Sequence, residues 1–185
     1  THLGVVLRRT DRTITMDPPH GPWDAPDSLT IPGDPSSAAF FIVAAAMLPH
    51  SSLVMERVGL NPTRLHFLDV LRRMGASIKV EVEEDMWEPR GSIRVEHRPL
   101  HGTRVTASEV PRLIDELPIL MVAACAAEGQ THFEGLGELR VKETNRLHAM
   151  TTGLARLGAK IAVSNNTSVV VIRSRLRGTP VDSFR

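Results

Sequence analysis

Leu71-Arg72-Arg73-Met74-Gly75-Ala76 and Leu154-Ala155-Arg156-Leu157-Gly158-Ala159 carry one pattern twice, roughly eighty residues apart. Each is the end of an apolar helical periodicity halted by a glycine. The echo extends outward in both directions. Arg64-Leu65-His66 is answered by Arg146-Leu147-His148, and Leu100-His101-Gly102-Thr103 by Leu176-Arg177-Gly178-Thr179. A period this long is not a solenoid unit. It describes two domain-sized blocks, residues 31–102 and 111–178, each reading helix–strand–helix–strand–strand. That order predicts an α/β fold.

The remaining elements follow from periodicity and punctuation. Val5-Val6-Leu7 and Thr13-Ile14-Thr15-Met16 read as two short strands around a turn at Thr10-Asp11-Arg12. Asp17 to Asp27 holds Pro18, Pro19, Pro22, Pro26 and Gly21, which marks a linker and a domain boundary near residue 28. A strand is expected at Leu29–Ile31. Asp34 or Ser36 is placed to cap a helix from Ala38 to Leu48, with Pro35 in its first turn. That helix is apolar nearly all round, as is a second from Leu113 to Ala127. Both should therefore be interior, with sheets outside. Strands are expected at Ser52–Met55, Ser77–Val82, Ile93–Glu96, Thr131–Glu134, Lys160–Val163 and Val169–Ile172. The intervening helices are Arg64–Met74 and Leu147–Leu157. Glu83-Glu84-Asp85 reads as a solvated turn.

Composition removes several classes of function. A net charge of +1 over 185 residues offers no basic face for nucleic acid or a membrane surface. Tyrosine is absent and aromatics total 4%, so stacking platforms for bases are not expected either. The single Cys125 lies in an apolar run with no neighbouring His or cation, which suits a buried structural thiol and a reducing compartment. No apolar run is long enough to span a bilayer. No His/Cys cluster has metal-ligand spacing.

Leu139-Arg140-Val141-Lys142-Glu143-Thr144-Asn145-Arg146 concentrates charge ahead of an apolar helical pattern, just after Gly135 and Gly137. Read as a loop entering a helix, it puts Lys142 and Arg146 four apart on one face with Glu143 beside them. Such a helix start, with free backbone N–H groups, suits a phosphorylated or carboxylated small molecule. It equally suits a solvated first turn with an ion pair three residues apart.

Four ordered motifs decide between these readings. Pro32-Gly33-Asp34-Pro35-Ser36-Ser37-Ala38-Ala39-Phe40-Phe41, Gly59-Leu60-Asn61-Pro62-Thr63-Arg64, Ile114-Asp115-Glu116-Leu117-Pro118 and Leu139-Arg140-Val141-Lys142-Glu143-Thr144 resemble the 5-enolpyruvylshikimate-3-phosphate (EPSP) synthase family, in its IDELP form. The resemblance runs from about Leu3 to Arg185. It implies an inside-out α/β barrel domain built from βαβαββ repeats, of which residues 29–185 hold two of three units. Residues 1–28 would be trailing strands of the other, mostly missing domain. The implied reaction transfers the enolpyruvyl group of phosphoenolpyruvate to the 5-hydroxyl of shikimate 3-phosphate, releasing phosphate, on the route to chorismate and the aromatic amino acids.

By the same resemblance, Asp115 matches the catalytic aspartate that takes the hydroxyl proton. Glu143 matches the glutamate that moves a proton at the methylene carbon. Lys142 matches a contact to shikimate 3-phosphate, and Arg146 a grip on phosphoenolpyruvate. Glu138 is a weaker match to a substrate contact. The resemblance also implies a monomeric, cytoplasmic, glyphosate-targeted full-length enzyme, with neither a metal nor an organic cofactor. Several groups the family uses are not in these residues, so the chain alone is expected to be inactive.

Two residues depart from the family pattern. Asn145 stands where Asp is frequent, which removes a charge beside Arg146. Glu138 stands where one branch has an asparagine. Glu116 reads as a structural capping or ion-pair residue, Ser36-Ser37 as a helix start, and His66 and His148 as packing residues in equivalent places. Trp23 and Trp87 sit in loops. Two rivals stand beside the main reading. The sister carboxyvinyl transferase acting on UDP-N-acetylglucosamine depends on a loop cysteine, and Cys125 sits in a helical run. A non-catalytic half-domain is the other.

Overall fold

The computed structural model describes residues 5–18, 21, 27–85, 88–142 and 144–181. Trp23, Trp87 and Glu143 lie outside the described residues. The chain divides into two compact units, residues 1–32 and 33–185. In the first, strands β1 (Leu7–Thr10) and β2 (Thr13–Met16) form an antiparallel hairpin. Asp11 takes the left-handed conformation (φ 52°) that its tight turn demands, and Arg8 pairs with Asp17 at 2.6 Å.

The second unit holds the repeat. Its first half runs α1 (Pro35–Met47), β3 (Ser52–Gly59), α2 (His66–Arg73), β4 (Ser77–Glu84) and β5 (Arg90–Glu96). Its second half runs β6 (Arg104–Val105), α3 (Leu117–Ala126), β7 (Gln130–Phe133), α4 (Arg146–Arg156), β8 (Lys160–Ser164) and β9 (Ser168–Ile172). The later half is βαβαββ as written. Its four-stranded sheet has order β6-β7-β9-β8, with β6 and β7 parallel and the rest antiparallel. The earlier sheet is β3-β5-β4, all antiparallel. The strand expected at Leu29–Ile31 does not form. What stands in the place of β6 is a single parallel bridge, Gly33 to Val58. A bulge in β3 leaves Arg57 at φ 57°, and Gly33 hooks onto it through Gly33 N–Arg57 O and Gly59 N–Gly33 O, both 2.8 Å. The bulge uses the backbone groups a full strand would have paired.

Matching chemistry ends the matching helices. Gly75 (φ 100°) and Gly158 (φ 93°) close α2 and α4 in a conformation that side chains resist. The chain then returns over each helix end through His101 N–Met74 O at 2.7 Å and Arg177 N–Leu157 O at 2.8 Å. α1 and α3 pack on each other and against β3, β5 and β9. Ala39, Ile42, Phe67, Leu71, Ile93, Leu117, Leu120, Met121 and Phe133 are essentially fully buried.

Three further expectations are corrected. α1 is not interior on every side: Phe40 (59% exposed), Phe41 (62%), Ala44 and Leu48 form an open apolar stripe at i, i+1, i+4, i+8 spacing. α3 starts four residues later than periodicity suggested, because Val110–Arg112 and Leu113–Glu116 form tighter turns before Pro118 fits the first helical turn. Glu84 also extends β4, where it pairs with Arg90 at 2.5 Å.

Candidate active site

The heads of α1, α3 and α4 carry the charged side chains that the motifs singled out. At α1, Asp34 is the N-cap. Its carboxylate accepts from Ser36 N (3.2 Å), Ser37 N (2.9 Å) and Ser37 Oγ (2.8 Å), so the cap is Asp34 rather than Ser36. Arg64 Nη2 reaches the same carboxylate at 3.4 Å. Burial alone would raise the Asp34 carboxyl, but the Ser37 and Ser36 hydrogen bonds and the Arg64 charge outweigh it and hold it below its ordinary value.

At α3 the late helix start leaves Asp115 on the turn before it, with 56% of its side chain exposed. Arg146, the first residue of α4, donates from Nη1 to Asp115 Oδ1 at 3.2 Å across 31 positions of sequence. Each repeat thus makes an Asp–Arg pair, Arg64–Asp34 and Arg146–Asp115, with the second aspartate one residue further from its helix. Only the first aspartate is consumed by capping.

The Lys142-to-Arg146 stretch is not one helix. Leu136–Arg140 is a short 3-10 turn, and α4 begins at Arg146, so Lys142 and Arg146 do not share a helical face. Lys142 and Glu138 are both exposed. Asn145 is the N-cap, its Oδ1 accepting from His148 N at 3.0 Å. The departure from the common Asp therefore keeps the capping oxygen. The stretch misled because its charge spacing is helical, whereas the buried Leu136 and Leu139, three apart, mark a 3-10 turn ahead of it.

Glu116, expected to cap or to form an ion pair, gives α3 no side-chain capping bond and makes no ion pair among the described residues. The residue is 5% exposed, and its carboxylate accepts from Ser36 Oγ at 2.5 Å. Burial pushes this carboxyl above its ordinary value, against the Ser36 hydrogen bond and with the adjacent Asp115 charge adding to the rise. No single-sequence signal pairs residues 36 and 116; only their common place at the head of a repeat hinted at it.

Of the other candidates, Cys125 and His66 are packed against the protein, whereas His148, expected to pack like His66, is exposed. Cys125 is buried, donates to Met121 O at 3.4 Å, and burial pushes its thiol up to about 11. That is an inert thiol. His66 opens α2 with Nδ1 buried and unpartnered, while His148 is exposed with Nδ1 3.5 Å from Thr152 Oγ1. A cleft of about 540 Å³ opens at the far ends of α1 and α3, lined by Met47, His97, Arg98, Cys125, Arg173 and Arg175, away from Asp115. Among the described residues no group of His, Cys, Asp and Glu is arranged to hold a metal, and no helix is long and apolar enough to cross a membrane.

The heads of the two central helices lie together, with an Asp–Arg pair beside each, at one end of a repeat-built α/β domain. The profile of the family described as EPSP synthase (3-phosphoshikimate 1-carboxyvinyltransferase) matches residues 1–185, and the chain belongs to that family. It is 41% identical over 183 residues to a 3-phosphoshikimate 1-carboxyvinyltransferase of Bacillus anthracis (strain A0248), covering 98% of this chain and 42% of that protein. Among solved structures, an EPSP synthase from Acinetobacter baumannii superposes with a TM-score of 0.89 at 33% identity, over 98% of this chain and 42% of the other. The enolpyruvyl transferase NikO from Streptomyces tendae shares the fold at a TM-score of 0.58 and 21% identity, over 93% of this chain and 38% of the other. The chain therefore spans well under half the length of these relatives.

Proposed function

We propose that this chain is the Asp115-bearing part of a longer enzyme that transfers the carboxyvinyl group of phosphoenolpyruvate to the 5-hydroxyl of shikimate 3-phosphate. The observation that carries this reading is the Asp115–Arg146 pair at 3.2 Å, in which an exposed carboxylate is held by a cation from another element. A base must be reachable by its proton, and Asp115 is exposed on a turn instead of being spent on a helix cap.

In the addition step the 5-oxygen attacks C2 of phosphoenolpyruvate while Asp115 takes the hydroxyl proton and Glu143 supplies one to the methylene carbon. In the elimination a proton leaves that carbon as phosphate departs, restoring the double bond. Two carboxyl groups at two different atoms fit this sequence. Arg146 offers planar donors to the phosphoenolpyruvate carboxylate or phosphate, and Lys142 a mobile cation to shikimate 3-phosphate, with Glu138 a further contact. No metal is required.

Residues 29–185 are two repeat units of one domain in this reading, and residues 1–28 belong to the other. A third unit covers the Phe40/Phe41/Leu48 stripe. The buried, inert Cys125 weighs against the UDP-N-acetylglucosamine alternative, which needs a reactive loop cysteine. A free thiol also suits the cytoplasm, where we place the enzyme as a monomer. The deciding experiment is phosphate release from the two substrates by the full-length parent and by this chain alone. Turnover is expected from the parent only. Turnover by the isolated chain sinks the half-site reading, and none from the parent sinks the activity.

A further inference from the structure

Glu116 is a buried carboxyl at the head of α3 with no capping bond to that helix. A carboxyl in such a place costs free energy unless a hydrogen bond compensates. The compensation comes from the other repeat. Ser36 Oγ, in the first turn of α1, donates to Glu116 Oε1 at 2.5 Å across 80 positions of sequence. Ser36 Oγ in turn accepts from Arg64 Nη2 at 2.7 Å, and Arg64 also reaches Asp34. A line of contacts therefore runs from the loop before α2, through the head of α1, to the residue next to Asp115.

We propose that Glu116 is a positioning residue: its hydrogen bond to Ser36 locks the head of α3 against the head of α1 and so sets the direction of the Asp115 carboxylate. The inference deepens the activity proposed above and rests on it. Asp115 sits on a turn, half in solvent, with its carboxylate hydrogen-bonded by the long side chain of Arg146. That bond fixes the carboxylate at its tip and leaves the orientation of the turn to the backbone and to Glu116. The turn is pinned from below by Glu116 N–Leu113 O at 2.9 Å and from inside by the Ser36–Glu116 bond. Catalytic groups need placement to about 0.5 Å, and second contacts of this kind provide it.

The test uses the full-length parent with Glu116→Ala, Glu116→Gln, Ser36→Ala and the double alanine variant. Steady-state kinetics and hydrogen exchange at the amides of residues 35–38 and 115–120 are read together. Glu116→Ala should lower kcat about tenfold or more with KM for both substrates within about threefold, because misplacement of a reacting group is felt in the rate. Glu116→Gln should stay within about threefold of the parent, since its amide oxygen accepts the same bond. The double variant should be no slower than the worse single variant. Exchange should quicken in the alanine variants and not in Glu116→Gln.

An unchanged kcat in folded Glu116→Ala overturns the proposal, even if exchange quickens, because the contact is then structural only. Equal damage from Gln and Ala also overturns it. If Glu116→Ala does not fold, Ser36→Ala carries the same test. If the unmodified parent does not consume phosphoenolpyruvate, it is the proposed activity that fails. The exchange comparison then decides the lock alone, and unchanged exchange in Glu116→Ala refutes it.

Discussion

Asp34 and Asp115 stand near the heads of α1 and α3 and each faces an arginine, but they are one position out of step, and only Asp34 is taken up by capping. α1 begins at the residue after Asp34, so its carboxylate is absorbed by two amides and a hydroxyl. α3 begins two residues after Asp115, so its carboxylate meets Arg146 and solvent. In the full-length parent, Asp115→Ala and Glu143→Gln should each cut kcat by about 10²-fold or more, the scale of a lost general acid or base. A phosphate-release assay reads this, and a parental rate for Glu143→Gln removes its proton-transfer role. Glu116 gives a stability prediction with a definite sign. Its carboxyl is raised by burial, so the folded state holds the proton more tightly than the unfolded chain. Its contribution is fully present below the unfolded carboxylate value and is lost as pH rises through the folded one. Glu116→Gln should therefore gain on the parent in urea unfolding at pH 8 relative to pH 4. A gap that does not widen with pH would show that burial is not the cause.

Elements carry the site through their ends. Asn145 is the side-chain cap of α4 and immediately precedes Arg146, so the cap and the cation that meets Asp115 are adjacent. Asn145→Ala should destabilise the fold by about 1 kcal/mol, the usual value of a lost cap. Asn145→Asp should be neutral or slightly stabilising, because it keeps the capping oxygen and adds negative charge at a helix start. Urea midpoints of the two variants check this, and equal losses would mean that the Asn145 contact is incidental. A second tie between repeats is Arg73, at the end of α2. It reaches Glu109 at 2.5 Å and Arg104 O at 3.1 Å, just before the second repeat's helix. Burial would raise the Glu109 carboxyl, but hydrogen bonds from Thr106 and Arg73 prevail and lower it.

For the molecule as a whole, the open stripe on α1 is the main physical anomaly. Phe40, Phe41 and Leu48 present a contiguous apolar surface on a helix that is apolar on its other faces as well. Surfaces of this kind mark interfaces. The chain on its own should bind a hydrophobic dye and self-associate with rising concentration, and Phe40→Ser with Phe41→Gln should suppress both without lowering helix content by circular dichroism. The same pair in the full-length parent should instead lower the unfolding temperature, because there the stripe would be covered. No dye binding by the isolated chain, or an indifferent parent, would mean that the stripe is not an interface.

Much of this was legible in the sequence because it depends on neighbours along the chain. The apolar periods, the stopping glycines at 75 and 158, and the Asp34 cap are local chemistry, and the repeat echoes revealed the block order. The family motifs named Asp115, Lys142, Glu143 and Arg146 by position. Tertiary structure decided what depends on distant partners. The helix expected to include Lys142 starts only at Arg146, after a 3-10 turn at Leu136–Arg140, and no strand forms at Leu29–Ile31, the nearest pairing being one bridge from Gly33 to Val58. Ser36 and Glu116, each read as a local device, turned out to be partners because two parallel helices bring their heads together. Sequence patterns report which face of an element is apolar; which element lies against it, and therefore which polar groups it buries together, is fixed only when the repeats pack.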